Sequence, residues 1–172
     1  MARVTSEILK RVISEQRAIF LAVGDHIDRE ILSHPDFVSW RELKEIIVVT
    51  GARRSGKSFL LRLIWKKIMA KKGLSRDNFL YINFEDEKLV NFIVDDFDLL
   101  LESYYELFAV DHKQKIYLFF DEIQNITGWE KFLNRLQESD KFKIFVTGSN
   151  ATLLSKEIST VLTGRNFPLN LS

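Results

Sequence analysis

One eight-residue segment, Gly51-Ala-Arg-Arg-Ser-Gly-Lys-Ser58, constrains the fold of this 172-residue chain more than any other. It satisfies G-x-x-x-x-G-K-[ST] at every fixed position. Average usage of Gly, Lys and Ser/Thr produces such a match by chance in roughly 0.5% of chains this long, so the spacing carries information. Its flanks agree with it. Residues 45–50 read as a buried β-branched strand, and Phe59 to Ala70 as an amphipathic helix. Strand, glycine loop and helix in succession make one unit of a parallel α/β fold.

That setting turns the pattern into a phosphate cradle. Gly51 allows a sharp turn off the strand, and Gly56 lets backbone approach an anion with no Cβ in the way. Amides from about Arg53 to Ser58 are expected to point inward at the positive end of the helix dipole. The expected nucleotide contacts are therefore Gly51, Ala52, Arg53, Arg54, Ser55, Gly56, Lys57, Ser58 and Phe59. Lys57 is positioned for the β- and γ-phosphates and Ser58 for Mg²⁺.

Bulk properties narrow the class. The chain is 46% hydrophobic and 28% charged, which suits one water-soluble domain with a full core. A net charge of +1 offers no global field for nucleic acid or a membrane surface. The absence of cysteine excludes disulfides, thiol catalysis and cysteine-ligated metals, and fits a reducing cytoplasm. No apolar run approaches the ~18 residues of a membrane span. His26, His34 and His112 lack ligand spacing, so no metal beyond Mg²⁺ is expected.

Along the chain, residues 1–40 read as an N-terminal helical section. Val4, Ile8, Val12 and Ile19 mark a first helix over 3–20, and a second is expected over 24–33. This section either packs on the sheet or stands off as an arm. Residues 41–172 read as the core. Strands are expected at 78–84, 116–120, 143–147 and 167–171, with helices over 87–109, 128–138 and 150–158. Asp95, Asp96 and Asp98 are assigned to the wet side of the 87–109 helix. Strands alternating with helices imply a parallel sheet covered on both faces.

The third strand delivers Asp121-Glu122 at its C-terminal end, one strand and two helices beyond Lys57. An apolar strand ending in an acid is the Walker B arrangement, in which Asp121 holds Mg²⁺. Glu122 can then accept a proton from, or orient, an attacking water.

Six segments occur in order: Gly51–Ser58, Tyr81-Ile-Asn-Phe-Glu-Asp86, Phe119-Phe-Asp-Glu-Ile-Gln124, Gly128-Trp-Glu130, Val146-Thr-Gly-Ser-Asn150 and Leu162-Thr-Gly-Arg165. The succession resembles the AAA+-type (ASCE) P-loop ATPases of archaea and bacteria, over about residues 40–172. Longer members carry a C-terminal nuclease-like or winged-helix domain. The resemblance implies a three-layer sandwich with a five-stranded parallel sheet in the order 5-1-4-3-2. It implies a sensor at Thr147 or Ser149, a switch at Asn83 that restrains Glu122, and a catalytic role for Arg165. For Arg165 the alternatives are an arginine finger or γ-phosphate sensor, in its own subunit or a neighbour's, and a surface residue capping the helix before strand five.

The expected function is Mg²⁺-dependent ATP binding and hydrolysis, with Lys57, Glu122 and Arg165 catalytic and Ser58 and Asp121 on the metal. The alternative is a nucleotide-dependent switch or scaffold with little turnover; a small-molecule phosphotransferase ranks third. Expected partners are the nucleotide and a second copy or another protein. Nucleic acid is unsupported by net charge, and Lys66, Lys67, Lys71, Lys72 and Arg76 read as a solvated helix face. The stop at Ser172, with no lid after strand five, suggests a core from a longer protein, with weak nucleotide affinity on its own.

Overall fold

The computed structural model describes residues 2–22, 45–70, 73–149 and 165–167. Its centre is a parallel sheet of five strands: β1 Ile47–Thr50, β2 Phe79–Asn83, β3 Ile116–Asp121, β4 Phe142–Gly148 and β5 Arg165–Phe167. The spatial order is β2-β3-β4-β1-β5, the arrangement that the resemblance implies. β4 thus lies between the glycine-loop strand and the strand ending in Asp121. The order creates a crevice at the carboxyl ends of β1 and β3, where ligands bind in open α/β sheets.

Among the described residues, four helices pack around it: α1 Ser6–Leu21, α2 Lys57–Met69, α3 Phe97–Leu107 and α4 Trp129–Glu138. One core joins α2 to the sheet face formed by Ile47, Val49, Phe79, Tyr81, Phe119 and Phe145. Alternate residues of the same strands, including Val48, Leu80, Ile82, Phe120 and Val146, face α3 and α4 in a second core. This period-two division explains why β1, β3 and β4 are apolar almost throughout: both faces are buried.

α1 packs on the sheet's edge, beside β2 and α3. It begins at Thr5, whose hydroxyl accepts from the Ile8 amide at 3.3 Å. Its buried side is Leu9, Val12, Ile13, Gln16 and Phe20, while Ile8 and Ile19 are exposed. The expected apolar stripe is therefore corrected by about one position. Covering β2 protects an edge strand whose outer backbone groups need partners.

Three further boundaries differ from expectation. The helix expected over 87–109 is broken into 3₁₀ turns at Glu87–Leu89 and Val94–Asp96, and α3 starts only at Phe97. Asp86 and Asp96 cause the breaks: their carboxylates accept from the Lys88 and Ile93 amides at 2.9 Å each, closing local turns. Asp96 is consequently buried rather than on a wet face. The fifth strand lies at Arg165–Phe167 instead of starting at Phe167, because these three residues pair with Ile47–Val49. The helices expected over 24–33 and 150–158 lie outside the described residues, as do residues 168–171.

Candidate functional site

Thr50 ends β1 and the chain turns through Gly51–Ser55 into α2. Gly56 has φ of 89°, a left-handed value that glycine adopts without strain, and Arg54 also sits at positive φ. No side chain caps α2 at Gly56. Its first-turn amides therefore remain available to an anion at the positive end of the helix dipole. Lys57, 4% exposed, folds back over the loop. Its Nζ donates to the Gly51 and Ala52 carbonyls at 2.9 Å each, and Glu122 Oε1 lies 3.6 Å away. The buried hydroxyls of Thr50 and Ser55 have no protein partner.

The acidic half comes from β3. Asp121 is fully buried, and three hydroxyls donate to it. Ser58 Oγ reaches Oδ2, Thr147 Oγ1 reaches Oδ1, and Tyr81 OH reaches Oδ2 at 2.7 Å. Burial, reinforced by the Asp121 charge, pushes the Tyr81 phenol far up from its ordinary pKa, so it stays a donor. Glu122 has φ of 54° and ψ of 46°, an unfavourable conformation for a non-glycine residue. It turns the chain off β3 and brings the carboxylate back towards Lys57. Thr147 Oγ1 accepts from the Glu122 amide at 3.0 Å, and Gln124 Nε2 donates to Glu122 Oε2 at 2.6 Å.

A cleft of about 500 Å³ is lined by Arg53–Phe59, Arg62, Asn83, Glu85 and Glu122, with the fully buried Asp121 behind Ser58. A larger groove of about 700 Å³ opens at the far end of α2, beside Arg17, Leu21, Trp65 and Met69. Lys57, Ser58 and Glu122 all border the smaller cleft.

Several expectations need correction. Thr147 is fully buried and spends its hydroxyl on Asp121 and the Glu122 amide, so it supports the two acids instead of facing a phosphate. Ser149 is half-buried just past β4. The Asn83 side chain accepts from the Glu85 amide at 2.9 Å, closing a local turn rather than restraining Glu122. Arg165 opens β5. It pairs with Ile47, three residues before Thr50, or about 10 Å back along the strand.

Sequence reasoning missed Tyr81, Arg62 and Gln16. Gln16 of α1 is buried and brackets the Asn83 backbone: it accepts from the amide at 2.7 Å and donates to the carbonyl at 3.2 Å. Its Nε2 also donates to Asp86 Oδ2 at 3.1 Å. Tyr81 was legible in part, since it shares strand parity with Asn83. The helical period of α1 gave no sign that a glutamine on its inner face would serve β2.

A glycine loop opening a helix, beside a strand that ends in a buried acid, within a 5-1-4-3-2 parallel sheet, defines the P-loop nucleotide-binding class. The family described as AAA domain matches residues 43–172. The chain belongs to that family, the AAA+-type P-loop ATPases, and carries its nucleotide-binding, ATPase-like core. An uncharacterized protein of Methanocaldococcus jannaschii is 45% identical over 131 residues, covering 73% of this chain and 27% of the relative. One of Haemophilus influenzae is 38% identical over 130 residues, covering 74% and 31%. The chain thus spans less than a third of the length of these two relatives.

Among solved structures, C. elegans PCH-2 is similar at a TM-score of 0.48 and 16% identity, over 95% of this chain and 42% of that one. A DNA polymerase III gamma subunit-related protein from Thermotoga maritima is similar at 0.49 and 14%, over 77% and 44%. The family assignment rests on the sequence match. No helix among the described residues is long and apolar enough to cross a membrane.

Proposed function

We propose that this chain is a Mg²⁺-dependent ATPase core that hydrolyses the β–γ bond of ATP. The observation that carries the reading is convergence: Lys57, Ser58 and Glu122 border one cleft, and the Ser58 hydroxyl joins it to the buried Asp121. ATP is the nucleotide implied by the family.

The donor set suits magnesium. Ser58 and Asp121 are adjacent hard oxygen ligands, and Mg²⁺ is commonly held by one or two carboxylates plus substrate phosphates. Among the described residues no group of three or more His, Asp or Glu could hold a metal without a nucleotide. Bound there, magnesium neutralises charge on the phosphate oxygens.

The uncapped α2 amides and Lys57 bind and orient the triphosphate. Glu122 accepts a proton from water as its oxygen bonds to the γ-phosphorus. The β–γ bridging P–O bond breaks, and ADP leaves with that bond's electron pair. Glu122→Gln should preserve nucleotide binding and lower hydrolysis by about tenfold or more. Unchanged turnover would refute the base assignment.

A second reading, a switch or scaffold that binds ATP with little turnover, is favoured by one feature. The Glu122 carboxylate is engaged by both Gln124 and Lys57, which restrains it from water. Single-turnover kinetics separates the two: product formed once and released slowly favours the switch, and repeated turnover favours the ATPase. A role for Arg165 on a neighbouring subunit's nucleotide belongs with assembly into an oligomer, which concentration-dependent hydrolysis would reveal.

A further inference from the structure

Asp121 is the acid assigned above to magnesium, and its orientation is set by donors from three separate elements. Thr147 of β4 serves Oδ1, whereas Ser58 of α2 and Tyr81 of β2 serve Oδ2. Ser58 cannot be a permanent anchor. A hydroxyl that ligates a cation directs its lone pair there, and its bond to Asp121 has to adapt. Tyr81 and Thr147 then remain as one fixed donor for each carboxylate oxygen.

Tyr81 is suited to that task by register. It lies opposite Phe119, two residues before Asp121 along β3, and the intervening distance is about 6.6 Å. A phenol spans it and delivers a hydroxyl at 2.7 Å; a phenylalanine would fill the same space and deliver none. The ring is itself held. Phe20 of α1 stacks on it with centroids 4.4 Å apart and planes at 28°. Gln16, one helical turn earlier, fixes the end of β2 at Asn83. Both contacts come from a helix upstream of the segment that matches the family, residues 43–172.

We propose that Tyr81 is a positioning residue for the metal-holding carboxylate, and that α1 sets it in place through Phe20. The proposal rests on the magnesium–nucleotide reading above. Outer-shell hydrogen bonds of this kind govern metal affinity by on the order of 10-fold or more.

The test is a magnesium titration of the whole chain with a fluorescent ATP analogue at fixed concentration, read by anisotropy and repeated in EDTA. Tyr81→Phe should raise the magnesium half-point on the order of 10-fold, with affinity in EDTA unchanged. Phe20→Leu keeps the hydroxyl but removes the stack, and should shift the half-point in the same direction by less. A Tyr81→Phe half-point equal to wild type would overturn the positioning role, and an unmoved Phe20→Leu would overturn the part given to α1. Asp121→Asn isolates the underlying reading: if it leaves the magnesium dependence intact, Asp121 does not hold the metal and the proposal falls with that assignment.

Discussion

Replacing Gln16 by alanine tests whether α1 is an integral part of the ATPase-like core. Gln16 is 7% exposed and makes three hydrogen bonds across to β2 and the turn after it. Asn83 is the last residue of an edge strand, so its outward amide has no further strand to pair with. The Asn83 carbonyl retains a bond from the Asp86 amide at 3.3 Å, but the amide loses its partner. An orphaned, partly buried donor costs about 1–3 kcal/mol, and the lost bond to the Asp86 carboxylate adds to it. A net loss of about 2.5 kcal/mol corresponds to roughly 5–10 °C in Tm for a domain of this size.

Urea unfolding followed by tryptophan fluorescence is a direct assay, because Trp65 and Trp129 are both buried. Gln16→Glu sharpens the reasoning. Its carboxylate can still accept from the Asn83 amide, but an oxygen replaces the amide nitrogen that faced Asn83 O and Asp86 Oδ2. At pH 7 it should therefore be at least as damaging as alanine. The deficit should shrink as the pH falls towards about 4, where the introduced carboxylate gains a proton and with it a donor. A Gln16→Ala urea midpoint equal to that of wild type would refute the assignment, as would a Gln16→Glu variant as stable as wild type at neutral pH.

Two other perturbations follow from the same geometry. Thr147→Val removes the donor to Asp121 Oδ1 and the acceptor for the Glu122 amide, and should cost about 1–3 kcal/mol of stability. It should leave nucleotide affinity in EDTA unchanged; a large fall in that affinity would place the hydroxyl on phosphate after all. Lys143, buried at 3% exposure with Nζ donating to the Glu45 carbonyl at 3.0 Å, has its pKa lowered to about 8, chiefly by burial. Between about 8 and 10.4 the unfolded chain holds a proton that the folded chain has released, so stability rises with pH across that window. Lys143→Met should lack this rise in urea titrations run from pH 7 to 10; an identical pH slope in both proteins would sink the account.

How far each part of this molecule could be read from its sequence depended on the range of the interaction that fixes it. The glycine loop, the strand ahead of it and the strand ending in Asp121-Glu122 are local patterns, and each forms within a residue or two of its expected place. The strand order was legible only through the resemblance, since periodicity does not say which strands are neighbours. The broken 87–109 helix escaped because Leu89, Phe92, Ile93 and Phe97 keep helical spacing. Asp86 and Asp96 compete locally for backbone amides, and that competition outweighs the periodicity. β5 was misplaced by two residues, since only its pairing with Ile47–Val49 determines where it starts.

The site divides along the same line. Lys57, Ser58, Asp121 and Glu122 are each announced by their immediate neighbours. What orients them is not. The donors on Asp121 come from α2, β2 and β4, and the residue holding the β2 donor comes from α1. Thr147 illustrates the consequence. Its position at the end of β4 suggests a residue facing the phosphate, yet a threonine there has two hydrogen-bonding functions, and both are consumed inward. A hydroxyl spent on both acids cannot sense the γ-phosphate directly, but it can carry a change in either acid to the other. Coupling between Asp121 and Glu122, the residues proposed to hold the metal and to activate water, would then run through β4 itself. Thr147→Ser, which keeps both functions, should preserve turnover far better than Thr147→Val, and equal turnover in the two variants would leave that coupling without support.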